Sequence, residues 1–194
     1  MSVIETLRQR FEASASIPAP LSGDEVLLHE GDPVAAAVLM AIVDRPEPGL
    51  LLTRRNETLR KHPGQVAFAG GRADPGDASP VATALREAWE EIGLPPEHVS
   101  VIGCDAPYHT ITGYCIVPVL GVVPPDLPLI AREIEVADIF EVPLAHVLDP
   151  AHHVRRTAEI RGVRRQFYEI LWQERRIWGA TAAMIVNLSR RISV

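Results

Sequence analysis

The chain has 194 residues, with 25 Asp and Glu against 19 Lys and Arg, a net charge of −6 and 47% hydrophobic residues. That length fits one globular domain, which buries about 70% of its unfolded surface and needs no disulfide framework. The acidic balance argues against a long nucleic-acid face, yet it allows a small phosphorylated ligand held by a few arginines and a metal ion. Cys104 and Cys115 lack the close spacing of a metal-binding pair and read as isolated buried thiols of a reducing compartment. The first residues carry charges every few positions, and no run approaches the roughly 20 apolar residues of a membrane span. These features lead to the expectation of a cytoplasmic protein with no nucleic-acid or membrane partner.

In chain order, Val3, Leu7 and Phe11 recur at a spacing of four and predict a short amphipathic helix. A polar stretch with Pro18 and Pro20 follows. Residues 35–43 and 50–53 are apolar and β-branched, and the turn-prone segment 45–49 between them predicts a hairpin. Residues 65–68 predict a third strand running into Gly70 and Gly71. A helix then has both ends marked: Ser79 as cap, Pro80 in the first turn, Gly93 as terminator, and Pro95-Pro96 beyond it. Strands are expected at 99–103, 115–123 and 136–142, a helical turn at 144–148, a hairpin at 154–160 and 163–172 around Arg161-Gly162, and a closing helix at 180–191. Interspersed strands and helices predict a single α/β domain with a mixed sheet and helices on its faces. Trp89, Trp172 and Trp178 are expected to be packing residues.

The capped helix carries the chemistry. At about 100° per residue, Val81, Leu85, Ala88 and Ile92 share one arc, and Glu87, Glu90 and Glu91 lie on the opposite side. Arg86 stands one turn before Glu90. Like charges three and four apart disfavour a helix by roughly 0.2–0.5 kcal/mol per pair, and one arginine does not neutralise three carboxylates. Two readings stand: a solvated acidic face, or a ligand set for a divalent cation. A cluster of oxygen ligands without His or Cys selects Mg²⁺ or Mn²⁺ over Zn²⁺.

The run Arg86-Glu87-Ala88-x-Glu90-Glu91-x-Gly93-Leu94 resembles the second half of the Nudix box, G-x5-E-x7-R-E-U-x-E-E-x-G-U, where U is aliphatic. The first half departs by one residue: Ala78 falls at the usual glutamate, and Asp77 is the nearest acid, with a capping or loop-ordering role as alternative. Upstream, Leu51-Leu52-Thr53-x-Arg55-Asn56-x3-Arg60-x3-Gly64-x3-Phe68-Ala69-Gly70-Gly71 resembles LLTxRS-x3-R-x3-G-x3-FPGG. That pattern is the signature of the coenzyme A pyrophosphatase branch. Asn56 stands for its serine and Ala69 for its proline.

The resemblance implies an α/β fold of the α+β type, a Nudix-like mixed β-sheet sandwiched between helices. Residues 1–34 would form an N-terminal helix and extension, and residues 35–194 a single Nudix hydrolase domain. The implied activity is metal-dependent hydrolysis of the diphosphate of coenzyme A or its derivatives to 4′-phosphopantetheine species and adenosine 3′,5′-bisphosphate. The alternatives are an ADP-ribose or other nucleoside diphosphate sugar pyrophosphatase, and a non-catalytic nucleotide-binding module on the same fold. By the same resemblance, Glu87, Glu91 and Glu90 would ligate Mg²⁺ or Mn²⁺, with Arg86 steadying Glu90 and the Gly70 carbonyl completing the shell. Glu135 is a candidate general base, with an exposed loop carboxylate as its other reading; Glu133 and Asp138 are weaker candidates. Arg55 and Arg60, with Gly71, are candidate substrate-binding residues, and each arginine also reads as a surface salt bridge. The partner is a small nucleoside diphosphate, and a homodimer is left open.

Overall fold

The computed structural model describes residues 3–14, 19–24, 31–160 and 162–193. Pro18 and Arg161, named above, lie outside them. Strand β1 (Val34–Val43) is the hub, since it is apolar along its length and buried on both faces. Strand β2 (Gly49–Arg55) pairs antiparallel with its end, as the turn at 45–49 predicts. The expected third strand at 65–68 is β3 (Val66–Ala67), which pairs with the end of β2; a further strand beyond it, β4 (Ala69–Arg72), pairs with the first half of β1 and was not expected. Gly70 and Gly71 therefore lie within a strand.

Helix α1 (Val3–Ala13) and helix α2 (Pro80–Ile92) flank the sheet, which is completed by β5 (Ser100–Cys104), β6 (Tyr108–His109), β7 (Tyr114–Val123) and β8 (Val136–Pro143). The order is β3-β2-β1-β7-β5, with β8 added on β2 and β6 on β7; only β1 and β7 run parallel among these pairs. Helix α3 (Leu144–Leu148) leads to a second antiparallel sheet of β9 (Val154–Ile160), β10 (Val163–Trp172) and β11 (Arg175–Trp178), and α4 (Ala180–Ile192) follows. Strands β6 and β11 were not expected from the sequence.

Side-chain alternation along β1 divides the core. Val38, Met40 and Ile42 join Ile4, Leu7 and Phe11 of α1 and Met184, Ile185 and Leu188 of α4 on one face. Ala37, Leu39, Ala41 and Val43 meet Ala84, Ala88 and Ile92 of α2 on the other. The buried stripe of α1 is Ile4, Leu7 and Phe11, leaving Val3 exposed. Arg191 of α4 ties α1 down by donating to the Phe11 carbonyl and Ser14 Oγ while pairing with Asp105 at 2.6 Å. Cys104 is exposed and Cys115 half-buried, so the expectation of two buried thiols is corrected. Trp89 is 53% exposed and is not a packing residue; it points away from the sheet that α2 covers. Among the described residues, no helix is long and apolar enough to cross a membrane.

Candidate active site

Helix α2 forms where its local chemistry dictates. Ser79 Oγ accepts from Ala82 N–H at 3.2 Å, Pro80 occupies the first turn, and Gly93 closes the helix in the left-handed conformation at φ 65°. Its inner face, however, is rotated from the arc expected. Ala84, Ala88 and Ile92 are fully buried, Val81 and Leu85 are only partly so, and Glu91 is 5% exposed. The acidic face is therefore not uniformly solvated. Two glycines of β4 make room on its two sides: Gly71 toward the helix carboxylate and Gly70 toward β1. A Cβ on Gly71 would stand 2.7 Å from Glu87 Oε1, and one on Gly70 would stand 2.4 Å from the Ala37 carbonyl oxygen. The missing side chain at Gly71 lets the Glu87 carboxylate lie over the strand.

The three glutamates differ in environment. Glu91 accepts from Gly70 N–H at 3.1 Å, and burial pushes its carboxyl up to about 7, with the negative charge of Glu87 adding to the shift. Glu87 is also raised, chiefly by burial, and Glu90 and Glu135 add repulsion. Glu90 is largely exposed. Arg86 serves this face. Its Nη1 donates to Glu87 Oε1 at 3.0 Å and to Glu90 Oε2 at 3.1 Å, and its Nη2 donates to the Arg72 carbonyl at 3.0 Å.

Asp77 takes the remaining edge of that guanidinium. Arg86 Nε donates to Asp77 Oδ1 at 3.1 Å and Nη2 to Oδ2 at 3.0 Å. Asp77 Oδ2 also accepts from Asp74 N–H and Thr83 Oγ, each at 2.9 Å. The Arg86 hydrogen bonds hold the Asp77 carboxyl well below its ordinary range. The loop-ordering alternative for Asp77 is the one its contacts match.

Arg55, at the end of β2, has its Nε buried without a hydrogen bond, and its charge partly offsets that of Glu91. Arg60 is exposed in the loop between β2 and β3. Glu135 lies just before β8, and its charge is felt by both Glu87 and Glu91. Glu133 is exposed, whereas Asp138 pairs with Arg175 at 2.8 Å and is thereby engaged elsewhere. Glu87, Glu91, Glu135 and Arg55 thus share one electrostatic neighbourhood, framed by Gly70 and Gly71. The sequence reading missed the contact of Gly71 with Glu87 and the role of Asn56, whose amide bonds the Glu133 carbonyl at 2.5 Å. An Asn-x-Thr turn pattern was the available signal for the latter.

Among the described residues, no group of three or more His, Cys, Asp or Glu is gathered closely enough to hold a metal ion, and Glu87 and Glu90 both accept from Arg86. The chemistry of the set nonetheless fits. Two carboxyls are pushed up by burial and mutual repulsion, their donors are hard oxygens, and a nearby cation would reverse both shifts.

Residues 33–160 match the NUDIX domain model. The chain is 50% identical over 157 residues to the uncharacterized Nudix hydrolase NudL of Cronobacter sakazakii, covering 81% of this chain and 82% of that protein. It is 48% identical over 159 residues to NudL of Escherichia coli K12, covering 82% and 83%. In structure it is similar to a MutT/nudix family protein from Enterococcus faecalis, with a TM-score of 0.53, 15% identity, and coverage of 100% of this chain and 70% of that one. A Nudix hydrolase from M. smegmatis, RenU, gives a TM-score of 0.50 at 23% identity, over 61% of this chain and 75% of that one. The chain belongs to the Nudix hydrolase family, enzymes that generally use divalent metal ions, and it is a hydrolase of the pyrophosphate bond in nucleoside diphosphate derivatives.

Proposed function

We propose that the substrate is coenzyme A or one of its derivatives, cleaved to 4′-phosphopantetheine species and adenosine 3′,5′-bisphosphate. The observation that carries this reading is the course of the 51–71 signature. It forms β2, the following loop, β3 and β4, and so puts Arg55 and the two glycines beside Glu87 and Glu91. The segment that resembles the coenzyme A signature thereby shares a wall with the acidic site. Residues 35–194 form the catalytic unit; within residues 1–34, α1 is the N-terminal helix, and residues 1–2, 15–18 and 25–30 of the expected extension lie outside the described residues.

Glu87 and Glu91 would hold Mg²⁺ or Mn²⁺, with Glu90 and the Gly70 carbonyl as further ligands. When bound, the metal supplies Lewis-acid stabilisation of the diphosphate oxygens and lowers the pKa of water. Arg86 restrains Glu87 and Glu90, itself fixed by Asp77. Glu135 acts as general base, taking the proton from the attacking water. Arg55 and Arg60 grip substrate phosphates, for which guanidinium forks suit the geometry, and Gly71 keeps the floor of the site open.

The test is product analysis with Mg²⁺ or Mn²⁺ on coenzyme A, ADP-ribose and dinucleoside polyphosphates. Release of adenosine 3′,5′-bisphosphate from coenzyme A supports the reading. Turnover of ADP-ribose alone would replace it with the nucleoside diphosphate sugar assignment.

A further inference from the structure

We propose that Asn56 is the positioning residue that holds Glu135 at the acidic site. This inference rests on the reading of Glu135 as general base. Glu135 closes a turn that enters β8 at the buried Val136. Ile134 is 71% exposed, and Arg132 and Glu133 are exposed too, so between Ala131 and the buried Val136 the turn itself buries no apolar side chain. The Arg132–Glu135 ion pair spans 4.0 Å between exposed side chains and contributes little restraint. Ahead of Val136, hydrogen bonds set the path of the turn.

One end hangs from the helix of the acidic site. Arg132 N–H donates to the Glu91 carbonyl at 2.8 Å, and the N–H groups of Glu135 and Val136 both donate to the Arg132 carbonyl at 2.8 Å. The other end is held by Asn56. Its backbone N–H donates to the Glu135 carbonyl at 2.9 Å, and its Nδ2 donates to the Glu133 carbonyl at 2.5 Å. Asn56 thus brackets Ile134 from both sides.

The amide of Asn56 has a defined orientation. Oδ1 accepts from Thr58 N–H at 3.0 Å and from Thr58 Oγ at 2.9 Å, so the NH₂ group must face Glu133. The same side chain therefore opens the loop bearing Arg60 and clamps the turn bearing Glu135. The coenzyme A signature has serine at this position. A serine hydroxyl is shorter and has a single oxygen, whereas asparagine serves the two loops with separate atoms. Substitution here would displace the base without touching a ligand carboxylate, and misplacement by about 1 Å costs about 100-fold in rate.

The test is a double-mutant cycle with Mg²⁺, on coenzyme A and on ADP-ribose, using N56A, N56S and N56D in the wild-type and E135Q backgrounds. N56D keeps the Thr58 bonds but turns an oxygen toward the Glu133 carbonyl. The expected result is that N56A and N56D lower kcat about 10–100-fold with KM changed less than about 2-fold, and N56S falls between. Amide hydrogen exchange across residues 132–136 rises in N56A and N56D, while the far-UV spectrum is unchanged. In the E135Q background N56A costs less than about 2-fold more. Wild-type kcat in N56D, or losses that multiply with E135Q, would overturn the clamp. Wild-type kcat in E135Q itself would overturn the clamp together with the general-base reading, which separates the two failures.

Discussion

Asp77 holds Arg86 along one edge of its guanidinium, through bonds of 3.1 and 3.0 Å to its two carboxylate oxygens. The rest of Arg86 then reaches Glu87 and Glu90. An acid in the loop thus restrains the carboxylates of the helix through a shared arginine. D77N removes the charge that aligns Arg86, so turnover falls about 10–100-fold with the metal requirement retained. The Asp77 carboxyl is depressed in the folded state, so its contribution to stability is present above the ordinary value of 3.8 and is lost as pH falls below it. Thermal unfolding of wild type and D77N should differ at neutral pH and converge in strong acid; a gap that is independent of pH would contradict the ion-pair account.

Glu91 has the opposite sign. Its carboxyl sits at about 7 in the folded protein against an ordinary 4.5, so the folded state holds the proton more tightly between those values. Stability without metal therefore falls as pH rises from 4.5 to 7, by an amount on the order of 2–3 kcal/mol. E91Q should remove that slope and be the more stable protein at neutral pH in chelator. The same variant should lose at least about 100-fold in turnover with Mg²⁺. Matched pH series of urea unfolding, one for each protein, test the first part.

The two glycines of β4 separate stability from activity. An alanine at Gly70 meets main chain, the Ala37 carbonyl at 2.4 Å and Val38 Cα at 2.6 Å, so G70A should cost about 2 kcal/mol or more of stability. An alanine at Gly71 meets first the Glu87 carboxylate, the far end of a flexible side chain rather than main chain. G71A should fold with a near-normal melting temperature and lose about 10-fold or more in kcat. Equal stability losses in the two variants would contradict the close approach of Glu87 to the strand.

Much of this arrangement was legible from residue order. The limits of α2 depend on Ser79, Pro80 and Gly93, whose capping chemistry is local, and the structure matches them. Burial of Glu91 depends on how closely β4 approaches the helix, a tertiary relation that helical periodicity does not contain. Strand β11 escaped because its turn has Gln173 at φ 51° where glycine or asparagine would mark it, and β6 is only two residues long. The Asp77–Arg86 pair spans the one-residue extension of the loop, where linear spacing carries no geometry.

Arg55 and Arg60 separate two ways of reading the substrate. A guanidinium–phosphate contact contributes about 1.5–3 kcal/mol, or roughly 10–150-fold in binding. Replacing by alanine the arginine that reads the 3′-phosphate should raise KM for coenzyme A far more than for dephospho-coenzyme A. Equal losses on both substrates would assign that arginine to the diphosphate. Unchanged KM for both variants would return both arginines to surface roles.

The central claim joins this acidic site to coenzyme A, and side-by-side kinetics test it most directly. With Mg²⁺ in excess, kcat/KM for coenzyme A and for ADP-ribose should be measured for wild type and E91Q. Coenzyme A should exceed ADP-ribose by about 10-fold or more, the scale of one added phosphate contact, and E91Q should remove at least about 100-fold from both. A preference for ADP-ribose, or an E91Q enzyme that turns over coenzyme A at the wild-type rate, would contradict the account.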